Sequence, residues 1–385
     1  MAKKVNKKFL VGLVVAVGGI AVALFGAVLL THHSSAFYAR RAEGELQGGD
    51  LQKAAVDFGR AINKDRGNKE LYIKLGDVYN QMVTTDPTYL SKAVGVWRMV
   101  LELDPGYTPA LDRLLDERVD EMKAGATDPQ SFSDLRKLAD AAVKADPENP
   151  KYQSILHIAT VRQWISGAAL SDQMVANDID ALVQLAQKNP DEADAAFWAG
   201  TAQLKQAQDL LRNGDTQKAH KLLDQIASRQ HALSKARPNN AAVQLRNYQM
   251  LTGLGLLDDR AEKRTAYQEQ RRQSITAAHD HIAAADELYD ETQINYASWL
   301  ASQNTPRTQV ENVYRDWAAA RPSDLRARNY LAEFLGADPK TRNEAIKLLT
   351  NPVPEDHSLS GVQAAVVRQY QRGGLIVLNN LRVEQ

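Results

Sequence analysis

The chain has 385 residues, 44% apolar and 24% charged, with 47 Lys plus Arg against 47 Asp plus Glu. This balance gives no overall electrostatic footprint for nucleic acid. The absence of Cys excludes disulfides, thiolate zinc sites, cysteine catalysis and a lipidated cysteine anchor.

Charge is unevenly placed. Lys3, Lys4, Lys7 and Lys8 fall within the first eight residues, and the remainder carries a net charge of −4. Directly after them, Leu10 to Leu30 is a 21-residue run without a charge. As a helix rising about 1.5 Å per residue it spans roughly 31 Å, the thickness of one hydrocarbon core. Positive charge stays on the cytoplasmic side of a membrane. The sequence therefore predicts a basic cytoplasmic tail over 1–9 and one transmembrane helix over 10–31, a signal anchor. Everything after it is extracytoplasmic, with a bacterial inner membrane and periplasm as the expected setting. Ser34 and Ala36 could form a cleavage site, but the apolar run is longer than a signal peptide's. Gly12, Ala16, Gly19 and Ala23 recur every three or four residues, a face suited to self-association in lipid.

Beyond residue 35 apolar positions recur at three and four, and strand patterns are nearly absent. Short clusters end the helices: Gln47-Gly48-Gly49-Asp50, Asp104-Pro105-Gly106, Asp146-Pro147, Asn189-Pro190, Asn213-Gly214, Arg237-Pro238 and Arg321-Pro322. Small or apolar residues precede many stops at fixed offsets: Ala54, Phe58 and Ala61; Ala93, Trp97 and Val100; Leu135, Ala139 and Ala142; Val310, Tyr314 and Trp317. Ala278, Ile282 and Ala285 fit the same pattern if Asp290 is the stop. Steps of four and three lie on one helical face.

With Tyr72, Leu75, Gly76 and Tyr79 in YIKLGDVY, this pattern resembles the tetratricopeptide repeat (TPR) family, whose unit is a 34-residue helix–turn–helix. Tyr38 and Ala42, Trp198 and Gly200, and Leu331 and Ala332 match it more weakly. First helices are expected near residues 35, 69, 108, 150, 193, 241, 293 and 325. Their spacing departs from the family's regular period. The predicted fold is all-α, a transmembrane helix followed by a TPR-like solenoid over 35–352. Residues 353–385 form a partial repeat or a cap against the last pair. Asp258 to Arg272, densely charged, reads as a solvated helical extension or, more sharply, as a docking surface.

The resemblance implies a groove lined by first helices, and mapping the family's groove positions gives Glu43, Glu70, Ile73, Asp77, Asn80, Asp112 and Asp116. That lining is acidic and suits a protein or peptide ligand with a basic segment. The implied function is a membrane-tethered, non-catalytic protein-interaction scaffold. One alternative is an envelope assembly or chaperone factor; another is the interaction region of a longer enzyme. No phosphate loop, HExxH or GxSxG motif is present, and Gly253-Leu254-Gly255 is only half a dinucleotide fingerprint. His279 and His281, two apart on a helix, point away from each other. No catalytic, metal or cofactor residue and no nucleic-acid partner is expected, and the five Trp are assigned to packing.

Overall fold

The computed structural model describes residues 34–123, 128–351 and 361–383. The expected anchor and its basic tail lie outside them. Among the described residues no helix is long and apolar enough to cross a membrane.

Seventeen helices and no strand occur among the described residues: α1 Ser35–Gln47, α2 Leu51–Lys64, α3 Lys69–Met82, α4 Thr88–Leu103, α5 Thr108–Lys123, α6 Pro129–Ala145, α7 Pro150–Ile165, α8 Asp172–Lys188, α9 Ala193–Arg212, α10 Thr216–Ala236, α11 Ala241–Leu257, α12 Ala261–His281, α13 Tyr289–Ser302, α14 Arg307–Ala320, α15 Leu325–Gly336, α16 Arg342–Thr350 and α17 Gly361–Val383. They fall into two compact units, split between Pro105 and Gly106.

The first unit is two stacked helical hairpins, α1–α2 and α3–α4, with α2 packed on α3. Ala54, Phe58 and Ala61 of α2 are fully buried, as are Ala93 and Val100 of α4 with Trp97 beside them. The signature glycine has a direct steric reason. A Cβ on Gly76 would lie 2.2 Å from Trp97 Nε1, so only a bare backbone lets α4 approach α3 this closely. Tyr72 and Leu75 are buried beside it, and Tyr79 stacks on Tyr89 at 5.7 Å. Arg41, which departs from the repeat pattern, has another task. It pairs with the buried carboxylate of Asp57, which also accepts from Arg60 at 2.8 Å. The Arg41 hydrogen bond outweighs burial and holds Asp57 below the usual carboxylate range.

The second unit continues the hairpin order from α5 to α16. The first helix α9 also packs on the first helices before and after it, α7 and α11. Leu135, Ala139 and Ala142 of α6 are fully buried. In α9, Ala195, Ala196, Ala199 and Ala202 are buried, and Gly200 leaves space for Met250. Caps follow the sequence signals. Asp128, Asn149, Ser171, Asn240 and Asp324 each accept a backbone N–H of the helix they precede. At Gly49 and Gly214 the turn needs positive φ, +80° and +83°, which glycine adopts without strain.

The segment after Arg372 lies within α17. α17 packs on α15 and α16 and also touches α5. Leu378 and Leu381 are buried, and Leu381 fills the space left open by Gly336.

One boundary differs from expectation. α12 ends at His281, and Ile282 turns to extended backbone with ψ 128°. Ala285 is exposed, and Asp290 lies in the first turn of α13. The register built on Asp290 as a stop is therefore wrong. The real buried positions of α12 are Tyr267, Ser274, Ile275 and Ala278. Arg321 holds the intervening segment, donating to the carbonyls of Ala284 at 2.8 Å and Asp286 at 2.5 Å.

Candidate functional site

The residues expected to line the groove divide between the two units. In the first, Glu70 is exposed, Asp77 and Asn80 are half-buried, and Ile73 is packed away at 8% exposure. Glu43 of α1 accepts from Lys74 of α3 at 2.5 Å. Lys74 sits one helical turn from Glu70 and from Asp77, so this face carries mixed charge rather than acid alone. In the second unit Lys151 lies 2.8 Å from Asp116 and 3.4 Å from Asp112, and the Tyr152 hydroxyl donates to Asp112 at 3.0 Å. Burial first, then the bond to Asp112, pushes the Tyr152 phenol up to about 12. The sequence reading found the acids and missed both lysines. Lys74 and Lys151 occupy first-helix positions and lie beside these acids only after the helices stack.

A second feature arises on second helices of the second unit. The second helices α8 and α10 both pack on α9. Between them opens a hollow of about 950 Å³. Val183, Ala186 and Pro190 form one wall, and Ala232, Leu233 and Ala236 the other. Its polar end carries His220, Lys221, Asp224, Gln225 and Arg229.

The charges at this end are unequal in their partners. Asp224 is held by Arg260 at 3.0 Å and by Lys263 at 2.9 Å, and the Arg260 bonds keep it below the usual carboxylate range. His220 Nε2 lies 2.8 Å from Asp259. Asp191, beyond Pro190, accepts from Arg237 at 2.7 Å. Arg229 has no carboxylate partner among the described residues. It donates to the Gln203 side chain at 2.6 Å, while its Nε is buried without an acceptor. Burial alone pushes its pKa down, the signature of an uncompensated cation. Lys221 stands exposed at the rim.

His220, Asp258 and Asp259 bring three ligand-type atoms within 4.8 Å of one another. Asp258 is already engaged, accepting from Arg260 at 2.8 and 2.7 Å and from the Tyr267 hydroxyl at 3.1 Å. This is an ion-pair network that closes the turn before α12. Asp258 is only 1% exposed, so the segment from Asp258 to Arg272 is anchored at its start rather than solvated throughout. His279 stacks on Tyr296 at 3.9 Å and takes part in packing, while His281 is exposed.

No family model matches the chain, and no curated protein matches it. Among solved structures it is similar to a tetratricopeptide repeat protein from Parabacteroides merdae, with 9% identity over 82% of this chain and 99% of that one, at a TM-score of 0.48. YrrB, described as a TPR protein with an unusual peptide-binding site, matches at 17% identity over 58% of this chain and 93% of its own, at 0.35. The human IFIT1 dimer with m7Gppp-AAAA matches at 12% identity over 89% of this chain and 71% of its own, at 0.43. These likenesses are too distant to carry function. The TPR-like arrangement of helical hairpins rests on this chain's own packing, with Gly76 under Trp97 as its clearest mark.

Proposed function

We propose that the chain is a membrane-tethered, non-catalytic scaffold that presents helical-hairpin surfaces to a protein partner on the extracytoplasmic side. The observation that carries the binding half of this reading is the hollow between α8 and α10, apolar along its walls and ending on an arginine with no carboxylate partner among the described residues. The tether is supported by the uncharged run from Leu10 to Leu30 behind four lysines. A reporter fused after residue 45 should be active only outside the cytoplasm, and the mature protein should retain Lys3. Purified protein beginning near Phe37 would mean a cleaved leader and no tether. Pull-down from solubilised membranes separates the scaffold from a chaperone. One stoichiometric complex fits the first, and many substoichiometric clients fit the second.

The first-helix face of the first unit is a second proposed contact, for a basic segment. Glu43, Glu70, Asp77 and Asn80 supply it, with Lys74 moderating the field. Exposed charges are screened over about 8 Å at physiological salt, so binding of a basic peptide should weaken as salt rises. Glu70→Lys with Asp77→Lys should slow association more than it harms the fold. Exposed Asp140 and Glu148 serve as the reversed control, because Asp258 is buried in its own network. Equal slowing by both pairs would remove the support for this face.

A further inference from the structure

We propose that the hollow between α8 and α10 receives one face of an acidic amphipathic helix from a partner protein, with a carboxylate of that helix on Arg229. This deepens the scaffold reading and rests on it.

Charge complementarity selects an acidic occupant. The carboxylate that lines the hollow, Asp224, is already neutralised by Arg260 and Lys263, and Asp191 beside it by Arg237; Asp259, outside the lining, is hydrogen-bonded to His220. What remains for a partner is cationic: Arg229, half-buried and without an acid, and Lys221 at the rim. A half-buried guanidinium with an orphaned Nε is costly in the free protein. A partner carboxylate at its remaining donors would offset that cost, because charge-assisted bonds are the strong ones. A basic occupant would add like charge instead.

The shape of the walls selects a helix. Gln217, Lys221, Ser228, Ala232 and Ala236 all line the hollow from α10, spaced by four or seven residues. That row runs for about 28 Å at 1.5 Å per residue. Its C-terminal half is small, which lets another helix approach closely, and Val183 and Ala186 face it from α8. The volume of about 950 Å³ has room for the several side chains that a helix presents at i, i+3, i+4 and i+7. The first-helix groove implied by the TPR resemblance lies on other helices, so the two contacts are independent.

The test uses the full chain in zwitterionic nanodiscs, with empty nanodiscs as the blank. The probes are two fluorescein-labelled synthetic helices with the same leucine face, flanked by Glu in one and by Lys in the other. Fluorescence anisotropy should show the Glu helix bound and the Lys helix at least about tenfold weaker. Arg229→Gln should weaken the Glu helix by about tenfold or more. Ala232→Trp, at an exposed position, should block binding by filling the hollow. Circular dichroism and the thermal midpoint of both variants should match the parent. Equal affinity for the two helices would overturn the proposal, as would unchanged binding in Ala232→Trp. So would an Arg229-dependent site that takes an oligouridylate in place of the acidic helix. The scaffold reading fails separately. A partner recovered equally with the parent and with Ala232→Trp would overturn the hollow and leave the scaffold standing. Failure to recover any partner, with the Glu helix still bound at Arg229, would sink the scaffold and uphold the hollow.

Discussion

Trp97→Ala should cost the first unit roughly 3–5 kcal/mol, the range for emptying a packed aromatic site. Trp97 is 1% exposed, and its ring fills the space that Gly76 leaves on α3. Alanine would open a cavity that neither backbone can close, since α3 and α4 are also held apart by Leu75, Ala93 and Val100. Trp97→Phe should lose far less. The indole Nε1 is buried without an acceptor, and the smaller ring removes that orphaned donor along with some volume. Gly76→Ala tests the same contact from the other side and should cost about 1–3 kcal/mol by overpacking. Hydrogen exchange is the suitable measurement because a helical array need not unfold in one step. Faster exchange across residues 69–103 is expected for Trp97→Ala. Unchanged protection there would place Trp97 outside the core of its hairpin.

Asp290→Ala should be as damaging in the second unit, again roughly 3–5 kcal/mol. Its carboxylate is 1% exposed and accepts from three donors on two other helices and the turn between them. Trp317 Nε1 donates at 2.8 Å, Arg321 lies at 2.9 Å, and Arg326 completes the set. Removing the carboxylate strands a buried indole N–H and leaves Arg321 and Arg326 with Asp324 as their shared acid. Asp290→Asn keeps the shape without the charge and should fall between the parent and alanine. Urea melts followed by tryptophan fluorescence would report the loss at Trp317. A cycle with Trp317→Phe should show coupling between the two sites, since both act through one hydrogen bond. Additive losses would mean that the bond contributes nothing to stability.

Much of the hairpin order is legible in the sequence, for reasons that differ by element. First helices begin at residues 35, 69, 108, 150, 193, 241 and 325, as their stops and caps predict. Prolines, glycines and capping Asp or Asn residues are local signals, and tertiary contacts do not override them here. The sequence carries no local signal for the boundary near residue 290, because Asp280 to Asp290 contains neither Gly nor Pro. The break after His281 is instead held by Arg321, some 35 residues further along the chain. The two proposed contact faces were legible in unequal measure. Glu43, Glu70 and the Asp112–Asp116 pair are visible as charges, but Lys74 and Lys151 meet them only across helices. The hollow has no sequence signal at all. Arg229 reads like any surface arginine until α8 and α10 are set on either side of α9.

The hairpins differ in size. The second helix has 14 residues in α2, 17 in α8, 21 in α10 and α12, and 9 in α16. Arrays of equal repeats carry a folding hazard, because any hairpin can dock on the wrong neighbour, in its own chain or in another. Here a misplaced hairpin would meet a partner of the wrong length. It would leave apolar turns uncovered or force a cap against a helix side. Unequal lengths would thus favour the native neighbour order and penalise slipped or swapped assemblies. Replacing α10 with a copy of α2 would shorten the wall of the hollow. It would also weaken that preference, and domain-swapped species should then accumulate during refolding.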